Sequence, residues 1–333
     1  MRIITVSIIR NEADILEAFV RYHLQMIDRM VVINHRSVDS SPQILRSLKQ
    51  EGLNLDLAED ASLDQPQSRA LTSAMRKAAR ELGADWVLPL DADEFLAVSD
   101  GGTVREAIES FPVDRVIRLP WRTYIPMPTD DVREPNVLKR ITHCRRVEPQ
   151  QIFKVLVPAT LIGRRRVTLG FGSHQLSRQT FFGPGEFPSI ETDRLFLAHF
   201  PVRSGSQVAT KAIMGWLACL ARSDRSRKDN YHLKRIYDRF REGNPIGPEE
   251  LSSMALVYAA GQRPVDTEVA FSPIRPERGD FVLRYGTESQ CDPLAVLAQM
   301  GEEFAQAFGS IRRTSFLAGT LLRRHHDRPS KDA

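Results

Sequence analysis

One pattern constrains this chain more than any other: the alternation of apolar runs and amphipathic stretches over its first hundred residues. Ile3 to Ile9, Met30 to Ile33, Leu53 to Leu57 and Trp86 to Phe95 read as strands. Between them, about Glu12 to Gln25, Pro42 to Glu51 and Gln67 to Leu82 place apolar side chains at helical spacing. Pro42 suits a first helical turn, and Gly52 and Gly83 lie just past helix ends. Strands alternating with helices predict right-handed βαβ units and a mostly parallel α/β sheet flanked by helices.

The run from Trp86 ends in Asp91, Asp93 and Glu94. If it stays extended, Asp91 and Asp93 point to the same side and Glu94 to the other. Two carboxylates aimed at one point repel, unless a cation sits between them. Mg²⁺ or Mn²⁺ suits such oxygen ligands. Ligands of open α/β sheets bind at the carboxyl ends of the strands, where these acids fall. A solvated turn or a helix cap is the plainer alternative. Pro89 removes a ladder donor and predicts a local irregularity there.

Two more polar clusters end predicted strands, Arg10-Asn11-Glu12 and Asn34 to Asp39. A parallel sheet gathers all three on one edge, where a nucleotide could rest. No Gly-x-Gly-x-x-Gly follows the first strand and no Gly-x-x-x-x-Gly-Lys-Ser/Thr occurs, which disfavours dinucleotide-binding and P-loop readings. Phosphate handling then falls to a metal and to basic side chains.

Beyond Thr103 the rhythm changes. Arg115 to Leu119, Phe153 to Val157, Arg166 to Leu169 and Leu195 to Phe200 read as strands, with Pro120 to Pro128 and Phe181 to Ser189 as loops. After Pro201 the chain turns mostly helical, over Val208 to Ala221, Asn230 to Arg241, Pro248 to Ala260 and Pro293 to Phe308, with one strand at Phe281 to Arg284. The expected organisation is a sheet domain over 1–203, a helical extension packed on it over 204–319, and a disordered tail over 320–333.

The formal net charge of +4 calls for no nucleic-acid partner and does not repel an anionic substrate. The three cysteines, Cys144, Cys219 and Cys291, are scattered, which argues against a disulfide framework or a Cys-based zinc site and suits a reducing, cytoplasmic setting. The first apolar run is too short for a signal sequence, and no run reaches the roughly 18 residues of a membrane span. The apolar stretch Val208 to Ala221 leaves peripheral contact with the inner face of a membrane open.

Taken together, Ile9-Arg10-Asn11-Glu12, Ser37-x-Asp39 and Asp91-Ala92-Asp93-Glu94-Phe95 resemble glycosyltransferase family 2, in the branch whose metal motif reads Asp-x-Asp-Glu-Phe. Trp121, Lys154, Gly172-Ser173-His174, His199-Phe200 and Lys211 extend the likeness, which covers about residues 3–215. The resemblance implies a GT-A (Rossmann-like) fold, a nucleoside diphosphate-sugar donor, a divalent metal, and transfer to an acceptor hydroxyl with inversion. It assigns Asp91 to the donor, Asp93 to the metal, and His199 to the completion of the metal site. Arg10, Asn11, Glu12, Asn34, Ser37, Asp39, Gln67, Lys154 and Lys211 are the implied donor-binding residues, with Arg203 and Arg122 as further basic candidates. Glu191 and Asp193 fall where such enzymes place the general base, and Glu148 and Glu186 are alternatives. Asn34 stands where the family commonly has Asp, gaining donors and leaving the donor base open. The acceptor class, whether carbohydrate, lipid-linked or protein, stays open too. A nucleotidyltransferase and a non-catalytic nucleotide- or sugar-binding protein are the competing readings.

Overall fold

The computed structural model describes residues 1–62, 67–163, 167–180, 183–221, 231–261, 263–285 and 292–308. The expected tail over 320–333 lies outside the described residues. The N-terminal alternation is as read: β1 (Ile3–Ile9), α1 (Ala13–His23), β2 (Arg29–Asn34), α2 (Ser41–Gln50), β3 (Leu55–Glu59) and α3 (Gln67–Arg80). β4 (Trp86–Pro89) completes this part, and β4, β1, β2 and β3 lie side by side, all parallel.

These strands read as continuous apolar runs because both faces are covered. Ile3, Met30, Val32, Trp86 and Leu88 join one core with Leu16 and Phe19 of α1 and Leu45 of α2. Ile4, Val6, Val31, Ile33 and Val87 join a second core with Leu71 and Met75 of α3. The strand period of two sends alternate residues into the two cores.

The run from Trp86 to Phe95 is not one strand. β4 stops at Pro89, and a second strand, β5 (Glu94–Val98), begins after a turn. The Leu90 N–H reaches back to the Val6 carbonyl, 3.0 Å, and the Glu94 N–H closes the turn on the Asp91 carbonyl, 3.1 Å. The irregularity expected at Pro89 is thus a change of direction, and it places the three acids on a turn.

Next come α4 (Val104–Glu109), begun by a capping box between Thr103 and Glu106, and β6 (Val116–Ile125). β6 overrides the loop expected from Pro120. Its first part pairs with a strand over Ser189–Glu191 and its second with one over Leu195–His199, and Pro120 sits where the neighbour changes. A missing N–H costs nothing there. α5 (Val137–Arg140), β7 (His143–Arg145), β8 (Phe153–Pro158) and α6 (Ala159–Ile162) follow. β9 (Val167–Leu169), β10 (Leu176–Thr180) and β11 (Gly183–Glu186) form a small antiparallel sheet, so part of the loop expected over 181–189 is strand. β12 (Ser189–Glu191) and β13 (Leu195–His199) return to the main sheet.

The remainder holds α7 (Gly205–Ala221), α8 (Tyr231–Arg241), α9 (Pro248–Leu256), β14 (Val269–Phe271) and a helix over 293–308, here α10. The strand expected at Phe281 to Arg284 is absent, and β14 is the strand of this region, pairing with β7. The main sheet runs β14-β7-β6-β8-β4-β1-β2-β3, with β12 and β13 on β6 and β5 on β13. The sheet is parallel over β4, β1, β2 and β3 and where β12 and β13 join β6, and it is mixed because β8 is antiparallel to both β4 and β6, and β7 to β6.

Candidate active site

The three polar strand ends do converge. The Asn11 N–H donates to Ser37 Oγ, 2.9 Å, and the Val38 N–H to Asn11 Oδ1, 2.8 Å. The Ala13 N–H donates to Asp39 Oδ2, 2.9 Å, and the Glu12 N–H to Ser41 Oγ, 3.1 Å. Asn11, Ser37 and Asp39 therefore tie the β1–α1 and β2–α2 connections together. Asn11 and Arg36 hold positive φ, 56° and 53°, without being glycine, a strained backbone of the kind that clusters at functional sites. Asn34 Nδ2 donates to Glu59 Oε2, 2.7 Å. Arg10 and Arg36 both pair with Glu303 of α10, at 2.9 and 2.8 Å. The side chain of Gln67 lies outside the described residues.

The turn after β4 splits its acids between two cationic partners. Lys154, on β8, is fully buried and brings Nζ to Asp91 Oδ2, 2.6 Å, and to Glu94 Oε1, 3.2 Å. Burial lowers the affinity of such an ammonium for its proton, but Asp91 and Glu94 more than restore it and keep Lys154 charged. Burial pushes the Glu94 carboxyl up to about 8, against the pull of Lys154, with Asp91 and Asp93 adding to the rise. Glu94 is thus not turned away from Asp91, as an extended strand would have it; it shares Lys154 with it.

Asp93 faces a different set. Its Oδ2 meets Lys211 Nζ of α7 at 2.7 Å and Arg203 Nη1 at 3.7 Å. Its Oδ1 lies 3.8 Å from His199 Nε2 at the end of β13. Burial alone would raise this carboxyl, but Lys211, then His199 and Arg203, hold it well below the usual carboxylate range. Asp91 and Asp93 therefore do not aim at one point. Arg203, fully buried at its side chain, also holds Glu12, 2.5 Å, and Asp14, 2.7 Å, and so joins the start of α1 to the acidic turn. Lys211 lies 3.7 Å from Glu12 as well.

His199 is buried, and burial lowers its pKa to about 4. Its ring is covered by Trp121, stacked at 4.1 Å, and met edge-on by Tyr258 at 5.3 Å. His174 meets Trp121 edge-on at 5.6 Å and points Nδ1 at the Phe153 carbonyl, 2.8 Å. Arg122 stacks on Phe196 at 3.7 Å and donates to Ser99, so it serves β5 and β13 and not the acidic turn. Glu191 is exposed and paired with Arg118 at 2.8 Å, and Asp193 is exposed. Both line a cavity of about 820 Å³ together with Trp121, Glu148 and Phe271. Glu148 accepts from the Thr123 N–H, 2.5 Å, and pairs with Arg145, 2.7 Å.

A divalent cation can be tested against these atoms. Among the described residues no three His, Cys, Asp or Glu side chains form a metal cluster. Asp93 Oδ1 and His199 Nε2 are nevertheless the right kinds of donor, too far apart for a hydrogen bond to each other. Burial keeps the imidazole neutral, as a ligand must be, and its buried Nδ1 has no hydrogen-bond partner among the described residues. Mg²⁺-type ions are commonly held by one or two protein groups plus waters and substrate phosphates. The pair fits such a partial site.

Of these residues, Asp14, Tyr258 and Glu303 carried no signal in the sequence. Asp14 sits two residues past a cluster that did, but Tyr258 and Glu303 come from the helical part, far along the chain and free of any motif.

No protein-family model matches the sequence. No curated protein matches it either. Solved structures similar to it include S. aureus TarS, residues 1–349, in complex with UDP: 12% identity over 72% of this chain and 70% of that one, TM-score 0.38. Another is the mannosyltransferase PcManGT from Pyrobaculum calidifontis in complex with GDP-Man and Mn²⁺, 17% identical over 79% of this chain and 76% of that one, TM-score 0.39. A third is a glucose-1-phosphate thymidylyltransferase from Bacillus anthracis, 10% identical over 49% of this chain and 73% of that one, TM-score 0.29. The scores are all below 0.5 and the identities below 25%.

Proposed function

We propose that this chain is a GT-A glycosyltransferase of the family 2 kind, which moves a sugar from a nucleoside diphosphate-sugar to an acceptor hydroxyl with inversion. The observation that carries the reading is the acidic turn Asp91-Ala92-Asp93-Glu94, set at the carboxyl end of β4 beside two other polar strand ends and flanked by Lys154, Arg203, Lys211 and His199. A leaving diphosphate carries charge that must be met by fixed cations. Lys154 and Lys211 supply two, one on each side of the turn.

The nucleotide is assigned to the connections bearing Arg10, Asn11, Glu12 and Asn34 to Asp39, with Gln67 at the start of α3. Asp91 would orient the donor from its Lys154 contact. Asp93 and His199 would hold Mn²⁺ or Mg²⁺. When bound, such an ion neutralises charge on the leaving diphosphate. Lys211, about one-third exposed, is placed to move from Asp93 to a phosphate oxygen. The acceptor is assigned to the cavity lined by Trp121, Glu191 and Asp193. The general base is then Asp193 or Glu191, of which Asp193 has no ion-pair partner among the described residues.

Calorimetry with UDP, GDP, CDP, ADP and their sugars, with and without Mn²⁺, tests this. Metal-dependent binding of one donor by wild type, lost in Asp93→Ala with the fold intact by circular dichroism, is expected. Binding of none of them by wild type would sink the transferase reading; unchanged affinity in Asp93→Ala would remove Asp93 from the site.

A further inference from the structure

We propose that Tyr258 is the saccharide-contacting residue of this centre, its ring packing on the donor sugar and its hydroxyl bonding one of the sugar's hydroxyls, and that Arg145 is the residue that positions it. The proposal rests on the transferase reading.

Tyr258 follows α9, in the helical part, yet its ring touches His199. His199 is therefore held between two aromatic rings. Trp121, 8% exposed, is the closed side; Tyr258, 37% exposed, is the open one. A tyrosine more than one-third exposed beside His199, with a hydroxyl at the end of its ring, has the chemistry that grips a pyranose: an apolar face for the C–H side and a polar handle for the hydroxyls. A phenol hydroxyl can both donate and accept a hydrogen bond.

The backbone around it is built, not incidental. Ala259, the next residue, has φ +56°, a left-handed conformation that a non-glycine residue rarely adopts. Strain of this kind persists only where the surroundings impose it. Here Arg145 imposes it. Its guanidinium is buried, and Nη2 donates to the Ala255 carbonyl, 2.6 Å, and the Tyr258 carbonyl, 2.8 Å. Its Nη1 donates to Glu148, 2.7 Å, which in turn accepts from the Thr123 N–H. Thr123 is the register partner of His199 across β6 and β13. One buried arginine thus fixes the turn bearing Tyr258 to the strand beside His199.

The test separates nucleotide from sugar. Wild type, Tyr258→Phe, Arg145→Lys and the double variant are titrated by calorimetry, in Mn²⁺, with the nucleoside diphosphate that binds tightest among UDP, GDP, CDP and ADP and with its sugar conjugate. Loss of one hydrogen bond predicts that Tyr258→Phe binds the sugar nucleotide about 5- to 10-fold more weakly and the plain diphosphate within twofold of wild type. Arg145→Lys should show the same sugar-specific loss in the wild-type background and no further loss on Tyr258→Phe. Equal weakening of both ligands, or of neither, in Tyr258→Phe overturns the proposal and leaves the transferase reading standing. If wild type binds no nucleotide, both fall. Should Arg145→Lys fail to fold, the Tyr258→Phe comparison decides alone.

Discussion

At the residue scale, the acidic turn shows how far side-chain chemistry can be read without coordinates. That Asp91, Asp93 and Glu94 would gather charge at a strand end follows from their type and place. Which cation each acid meets does not, because the same-side rule holds only while the backbone stays extended, and the chain turns after Pro89. His23 gave no such signal. It is fully buried, pointing Nδ1 at the Phe19 carbonyl, 2.8 Å, and accepting at Nε2 from the Leu96 N–H, 3.1 Å. That arrangement needs the neutral ring, and burial lowers its pKa to about 4. The folded state then binds fewer protons than the unfolded state between about 6.5 and 4, so this stability is full above that window and lost as pH falls through it. The stability difference between wild type and His23→Gln, from urea unfolding, should shrink as pH drops from 7 to 4.5, by up to about 1.4 kcal/mol per pH unit. A difference that stays constant would show that His23 does not titrate in this way.

At the scale of elements, the strands and helices of the first eighty residues were legible because local pattern and tertiary environment agree there. β6 was not. Its Pro120, with Pro126 just past its end, read as loop, and only the exchange of neighbours at Pro120 makes a strand tolerable. α10 was legible as a helix, but its place was not. Glu303 lies between Arg10 and Arg36, and Gln299 donates to the Arg36 carbonyl, 2.6 Å, so the helix bridges the connections after β1 and β2. Glu303 is nearly buried, and removing one member of such a pair leaves buried charge uncompensated. In Glu303→Ala, hydrogen exchange over 293–308 should speed up by an amount corresponding to on the order of 3 kcal/mol, with β1 and β2 unaffected. Unchanged protection would mean that apolar packing of Val296 and Met300 holds the helix without the clasp.

At the scale of the whole molecule, the helical part is joined to the sheet by more than surface contact. β14 extends the sheet through β7, Arg145 binds carbonyls at the end of α9, and Arg203, just before α7, and Lys211, within it, reach the acidic turn. Such interlocking predicts one cooperative thermal transition in scanning calorimetry, with calorimetric and van't Hoff enthalpies in agreement. Two separated transitions would show that 1–203 and the remainder unfold independently. None of the described helices is long and apolar enough to cross a membrane. The sequence by itself determined the βαβ beginning, the two covered faces of its strands and the edge on which the polar strand ends meet, because hydrophobic period and strand direction are local properties. Only the tertiary structure decided that the sheet turns mixed at β8, that Asp91 and Asp93 part between Lys154 and Lys211, and that Tyr258 and Glu303 arrive from the far end of the chain. Those pairings depend on long-range packing, which no spacing along the chain encodes.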